Sequence, residues 1–364
     1  MEKCRIMCPF FILIRKVFFR PVPGRTEDGR DLGRTVLKRL LGVLIAAGLL
    51  LGGTAFGEGI PGGGGPEPPV PVRIARPEPE PVPEMPAVIN CVAEPDADAG
   101  FHFRMDADLL HIWFPNIMNA DEAILIFQGE TWLIDCGDEK NGARGAELLS
   151  RLGVERIGKL FNTHPHHDHL NGLRVTNETA KVEELRICFG GASTEHMIRA
   201  LTYAETNGIR VLEYRDGSEF AMGDGSVTLK FWCNTDPSLD MNNQSAQTMV
   251  RYGERTILFT ADMERAGQAS LLSRTVPSAL KADLLKYPHH GKTPLVEEFL
   301  RAVNPEAAVI TNKTVSDWGG VRYLAAKGVP YIYTNQTGVY LHLVTDGEHW
   351  IVEQVPQDRV GEIR

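Results

Sequence analysis

Thr163-His164-Pro165-His166-His167-Asp168-His169 places four histidines and one aspartate within seven residues. Imidazole and carboxylate groups at that density are the donors that divalent transition metals take. In the pattern His-x-His-x-Asp-His, His164 and His166 would serve one ion, and Asp168 and His169 a second. A surface tract that binds metal adventitiously is the other reading of such a run. The flanks argue for a built site. Arg156 to Asn162 has the character of a short buried strand running into the cluster, and Leu170-Asn171-Gly172-Leu173 that of a turn. Ligands at the carboxyl end of a strand stand on rigid backbone and stay reachable.

Three other stretches end in the same way. Ala123 to Phe127 and Thr131 to Ile134 form a predicted hairpin that closes on Asp135-Cys136-Gly137. Thr256 to Thr260 is an apolar strand followed by Ala261-Asp262, and Ala282 to Tyr287 is another, followed by Pro288-His289-His290-Gly291. Adjacent side chains point differently, so one of His289 and His290 is expected to bind metal. The choice falls on His290, with His289 facing substrate or donating a proton. Asp262 could also be a plain strand-end turn or helix cap.

In this order and spacing, THPHHDHLNG with its companion segments resembles the signature of the metallo-β-lactamase fold superfamily. The closing LLKYPHHG (284–291), with NNQS (242–245) before it, looks most like the extracytoplasmic hydrolase domain of ComEC-type competence proteins. Bacterial phosphorylcholine esterases are a second close type. The resemblance spans roughly residues 108–350 and implies an α/β fold, an αββα sandwich with metals at one edge. It further implies that Asp135 orients a ligand histidine, that Asp262 bridges two metals, and that the His289-His290 pair supplies the last ligand. Two divalent ions, with zinc as the default and manganese as its competitor, would sit about 3.5–4 Å apart and share one hydroxide.

The chain departs from the family twice. A further histidine between the cluster and Asp262 is usual; here only His196 is available, inside what reads as an ordinary helix. ComEC-like and phosphorylcholine-esterase-like members also tend to lack that ligand, and its loss predicts a more open first metal site. Asn242, Asn243 and Ser245 could turn polar groups toward the site or simply form a turn. The loop Lys313 to Trp318 lacks the His-Pro that ComEC-like members often carry. Trp318, Tyr287 and Lys292 are either substrate contacts or ordinary packing residues.

Upstream the composition changes. Residues 1–39 hold ten Lys/Arg against four Asp/Glu and form a predicted basic cytoplasmic leader. Residues 40–57 are apolar or small and read equally as a signal peptide or a membrane anchor. Residues 58–99, rich in Pro, Gly and Glu, form an expected disordered linker. The hydrolase domain is expected over 100–355. From residue 100 onward 26 basic side chains face 35 acidic ones, which opposes non-specific nucleic-acid binding without excluding a recruited strand. Six cysteines without CxxC spacing argue against a zinc ribbon; Cys188 and Cys233 fall in strand-like segments, as simple buried thiols.

The expectation is an exported binuclear-metal hydrolase of phosphoester bonds, phosphodiesterase- or nuclease-like. A hydroxide held by the ions is the nucleophile, and Asp168 and His289 are the catalytic residues. Its partners would be a phosphoester substrate and, if the apolar segment is uncleaved, the cell membrane. Hydrolysis of a lactone, β-lactam or thioester is the alternative chemistry. A non-catalytic, metal-stabilised surface binding module is the alternative class.

Overall fold

A computed structural model describes residues 108–189, 194–313, 318–335 and 338–362. The leader, the apolar segment, the linker and the tip of the 313–318 loop lie outside the described residues. Among the described residues, no helix is long and apolar enough to cross a membrane.

Strands β1 (Leu110–Phe114), β2 (Ala123–Phe127) and β3 (Glu130–Ile134) open the domain as an antiparallel meander. Helix α1 (Gly142–Arg151) follows, then β4 (Arg156–Ile157) and β5 (Lys159–Asn162). The strand expected over 156–162 is therefore interrupted at Gly158, whose amide donates to Thr131 O. The His-rich segment winds into the helical turn α2 (His167–Leu170), and α3 (Leu173–Thr179) starts at once. The turn expected at 170–173 is thus only a joint between two helices, too short to show helical periodicity.

The chain continues through β6 (Lys181–Val182), β7 (Glu184–Ile187), α4 (Glu195–Thr206), β8 (Arg210–Glu213), β9 (Glu219–Met222) and β10 (Val227–Trp232). Next come α5 (Met241–Gln244), β11 (Gln247–Tyr252), β12 (Arg255–Phe259), α6 (Arg265–Arg274) and β13 (Leu284–Lys286). Helix α7 (Glu297–Val303), β14 (Ala307–Ile310), α8 (Gly319–Lys327), β15 (Tyr331–Tyr333), β16 (Val339–Thr345) and β17 (Trp350–Pro356) complete it. Asn242-Asn243 is helical rather than a simple turn, because the Asp240 side chain caps it by accepting from Asn243 N.

One sheet runs β17-β16-β1-β2-β3-β5-β7-β8 and the other β15-β14-β13-β12-β11-β10-β9. Alternation along the strands buries one face of each sheet in a shared core that includes Phe114, Phe161, Phe231, Phe259 and Trp350. The outer face of the first sheet packs Trp113, Leu133 and Leu160 against Leu148, Leu173 and Met197 of its helices. The outer face of the second packs Leu258, Leu285 and Ile310 against Leu271, Phe299 and Leu324. Three apolar layers between helix, sheet, sheet and helix make an αββα arrangement.

The parallel halves position the site. Strands β3, β5, β7 and β8 run parallel in one sheet, and β12 to β15 in the other. Parallel strands deliver all their carboxyl ends to one edge, so chemistry placed after each strand gathers there.

Candidate metal centre

Asp135 follows β3 and fastens the His-rich loop. Its Oδ1 accepts from Thr163 N at 2.8 Å and from Asn162 Nδ2 at 3.2 Å. Its Oδ2 accepts the Thr163 hydroxyl at 2.7 Å and lies 2.7 Å from His169 Nδ1. An Nδ1–H donated to this carboxylate leaves His169 Nε2 as the free donor atom. Burial raises the Asp135 pKa, against the opposing pull of His169.

Asp262 follows β12, and its Oδ1 stands 3.3 Å from His169 Nε2 and 3.5 Å from His290 Nε2. His290 Nε2 is also 3.5 Å from Asp168 Oδ2. The donor atoms of Asp168, His169, Asp262 and His290 all lie within 4.8 Å of one another. His164 and His166 meet beside them, Nε2 to Nδ1 at 3.0 Å, and the His164 ring centroid is 4.1 Å from that of His169. The six histidines and carboxylates singled out from the sequence as ligands therefore converge.

The structure places the two adjacent histidines differently. His290 is fully buried in the cluster, whereas His289 is partly exposed, its Nε2 3.6 Å from Asp262 Oδ2 and its Nδ1 2.7 Å from Glu264 Oε1. Both have left-handed backbone, φ +49° and +54°, as do Asp135 and Ala261. Non-glycine residues held there carry about 1 kcal/mol of strain or more each, and four of them ring this site.

The electrostatics follow from burial and crowding. Burial and then His169 lower the His164 and His166 pKa values, leaving both neutral with lone pairs to offer. For His290 burial opposes the charge, but Asp262 and Asp121 outweigh it and push the value up to about 10. Asp262 goes the other way: burial would raise its pKa, and His290 and His169 hold it well below the usual carboxylate range.

Among the described residues, His169 Nε2, His290 Nε2 and Asp262 Oδ1 are buried and lack a hydrogen-bond partner. Buried polar atoms are rarely left so. Their convergence with Asp168 and the His164–His166 pair fits cation ligation, with nitrogen and oxygen donors suited to zinc or manganese.

His196 faces elsewhere. It lies on α4 beside His167, ring centroids 5.9 Å apart, with Arg199 at 3.4 Å. Asn243 is spent on structure, accepting from Gly267 N, while the buried Ser245 hydroxyl has no partner among the described residues. Tyr287 is buried and donates to Thr293 O, and Lys292 lies 5.9 Å from the Trp318 ring. A groove of about 580 Å³ runs from α2 between α3 and α4, lined by Asn171, Arg174, His196, Arg199 and Tyr203 among others.

Four charged neighbours were not read from the sequence: Asp121, Glu122, Glu264 and Lys286. Asp121 and Glu122 directly precede an apolar strand, and Lys286 sits inside one, which is the signal a charge in a core position gives. Glu122 is fully buried with neither carboxyl oxygen bonded among the described residues, and burial pushes its pKa up to about 8. Gly145 leaves room for it, since a Cβ there would overlap the carboxyl. Gly172 likewise lets the ligand loop close, because a Cβ would strike the Cys136 carbonyl oxygen.

The sequence model of the metallo-beta-lactamase superfamily matches residues 123–187, which carry the hairpin, Asp135 and the His-rich loop. Among characterised proteins the chain is similar to zinc phosphodiesterase ELAC protein 1 of Mus musculus and of Homo sapiens, 43% identical over 54 residues. That alignment covers 15% of this chain and 14% of each relative, so the chain spans about a seventh of their length. Among solved structures it is similar to the metallo-beta-lactamase fold protein YhfI from Bacillus subtilis, 15% identical, with TM-score 0.42 over 65% of this chain and 99% of that one. A CmlA beta-hydroxylase mutant is 17% identical, with TM-score 0.41 over 62% and 52%.

Proposed function

We propose that this protein is a metal-dependent hydrolase that uses two divalent cations, zinc by preference and manganese as the substitute, on phosphoester bonds. The observation that carries the reading is the convergence of His169 Nε2, His290 Nε2 and Asp262 Oδ1, buried and without a hydrogen bond among the described residues, at the ends of strands from both sheets. The zinc phosphodiesterase relatives favour a phosphoester over a lactone, β-lactam or thioester. The closing LLKYPHHG favours a ComEC-type domain within the superfamily.

Bound cations would supply Lewis acidity and acidify a water toward neutrality. His164 and His166 would hold one, Asp168, His169 and His290 the other, and Asp262 would reach both. Asp135 fixes the His169 tautomer through Nδ1. Glu264 accepts from His289 Nδ1 and so keeps the partly exposed His289 ring turned toward Asp262, where its Nε2 can pass a proton to the leaving oxygen. Export belongs to the same proposal, supported by the basic residues 1–39 ahead of the apolar 40–57 stretch.

The test is a panel of a generic phosphodiester, a lactone, a β-lactam and a thioester offered to zinc- and manganese-loaded protein, with Asp262→Ala as control. Phosphodiester cleavage that falls by about 10²-fold or more in the variant is expected. Faster cleavage of another bond would overturn the substrate class. Cation uptake with no hydrolysis at all would favour a metal-stabilised binding module.

A further inference from the structure

Lys286 ends β13, a strand otherwise apolar, and its side chain is almost wholly buried. Its ammonium makes an ion pair with Asp121 Oδ2 and donates to Ala261 O at 3.1 Å. Asp121 stands in the loop before β2, in the first sheet's half of the molecule; Ala261 and Lys286 belong to the second's. A lysine is placed there at the expense of full desolvation, which only a close anion offsets.

The carboxylate it holds lies beneath the metal centre. Asp121 Oδ1 is 3.3 Å from His290 Nδ1, and Oδ2 is 3.9 Å from His169 Nδ1. Both contacts are on the Nδ1 side, while the Nε2 atoms of the same rings converge on Asp262 from the other side. Asp121, Asp135 and His169 thus form a second buried cluster behind the first. A negative charge behind an imidazole makes its far nitrogen a better cation donor, and such partners commonly change affinity 10- to 100-fold.

We propose that Lys286 and Asp121 form a charged strut under the metal centre. It would hold the two sheets' ligand loops at a fixed separation and place one carboxylate behind both His169 and His290. Two consequences are separable in principle. Asp121 strengthens two ligands at once, one from each half, so its effect falls on cation binding. Lys286 holds that carboxylate in place and anchors the Ala261 carbonyl, whose left-handed residue (φ +44°) aims the following Asp262. Both are positioning residues: neither would touch substrate. Thr311 Oγ1, at 3.1 Å from His290 Nδ1, completes that ring's support, so the Asp121 contact acts through charge rather than as the ring's sole hydrogen bond.

This inference rests on the cation-binding reading of the site. It is tested on the full chain by measuring Zn²⁺ affinity in competition with a chromophoric chelator, together with the visible absorption spectrum of Co²⁺-loaded protein. The variants are Asp121→Asn, Lys286→Met and the two combined; melting of the metal-free forms reports folding. The single variants leave one buried charge unpaired and can lose the fold, so the double variant, which removes both charges at nearly constant volume, decides. It should melt near the wild type without metal, bind Zn²⁺ about 10- to 100-fold more weakly, and show an altered Co²⁺ spectrum. A folded double variant with wild-type affinity and spectrum overturns the strut while leaving the site intact. A wild-type chain that takes up no cation would overturn the functional reading and this one together.

Discussion

Glu122→Gln should gain stability relative to the wild type, both metal-free, as the pH rises. Glu122 is fully buried, its carboxyl oxygens find no donor among the described residues, and burial lifts its pKa from 4.5 to about 8. The folded chain therefore keeps a proton that the unfolded chain releases above pH 4.5. Stability must fall as the pH rises from there through 8. At ~1.4 kcal/mol per pH unit, the loss is about 2 kcal/mol at pH 6 and about 4–5 kcal/mol from pH 8 upward. Glutamine fills the same space without titrating. Its own unsatisfied amide sets a constant offset of about 1–3 kcal/mol that does not change with pH. Urea denaturation in the presence of a chelator, at intervals from pH 5 to 9, should show the two stability curves separating with a slope near 1.4 kcal/mol per unit. Parallel curves would mean that Glu122 is solvated or paired and would refute the reasoning.

Gly172→Ala should destabilise the fold by about 1–3 kcal/mol, read as a lower Tm, because the new methyl meets the Cys136 carbonyl oxygen rather than a yielding side chain. Asp135→Asn should weaken cation binding about 10- to 100-fold by loosening His169, as measured by chelator competition. His289→Gln should keep the full cation content yet lose about 10²- to 10⁴-fold in turnover, most for substrates with poor leaving groups. On the far side of the first sheet, burial and then His342 lower the His111 pKa to about 4. Stability should accordingly fall as the pH drops from 6.5 through 4, by at most about 3 kcal/mol. His111→Gln should flatten that acid limb in the same denaturation series.

The candidate ligands were legible because each comes after a strongly apolar strand, where a charged or imidazole residue stands out. His164, His166, Asp168, His169, Asp262 and His290 all carry that signature. The supporting charges were not, for different reasons. Asp121 gains its meaning from Lys286, 165 residues away, and no local pattern pairs them. Glu264 opens α6 and looks like an ordinary helix start, although its carboxylate is spent on His289. The short α2 and β6 are fixed by tertiary contacts rather than by periodicity, and no sequence pattern marked them. Strand β9 was hidden by its Glu219-Phe220-Ala221-Met222 pattern, half exposed at the edge of its sheet. The layering itself followed once fifteen strands had been divided between two sheets with parallel halves.

Elemental analysis of the purified chain, dialysed against trace zinc and then against metal-free buffer, bears most directly on the centre. Two ions retained per wild-type chain, with both lost or reduced to one in Asp262→Ala, is the predicted result. Wild-type protein retaining none, or an Asp262→Ala variant retaining both, would contradict it.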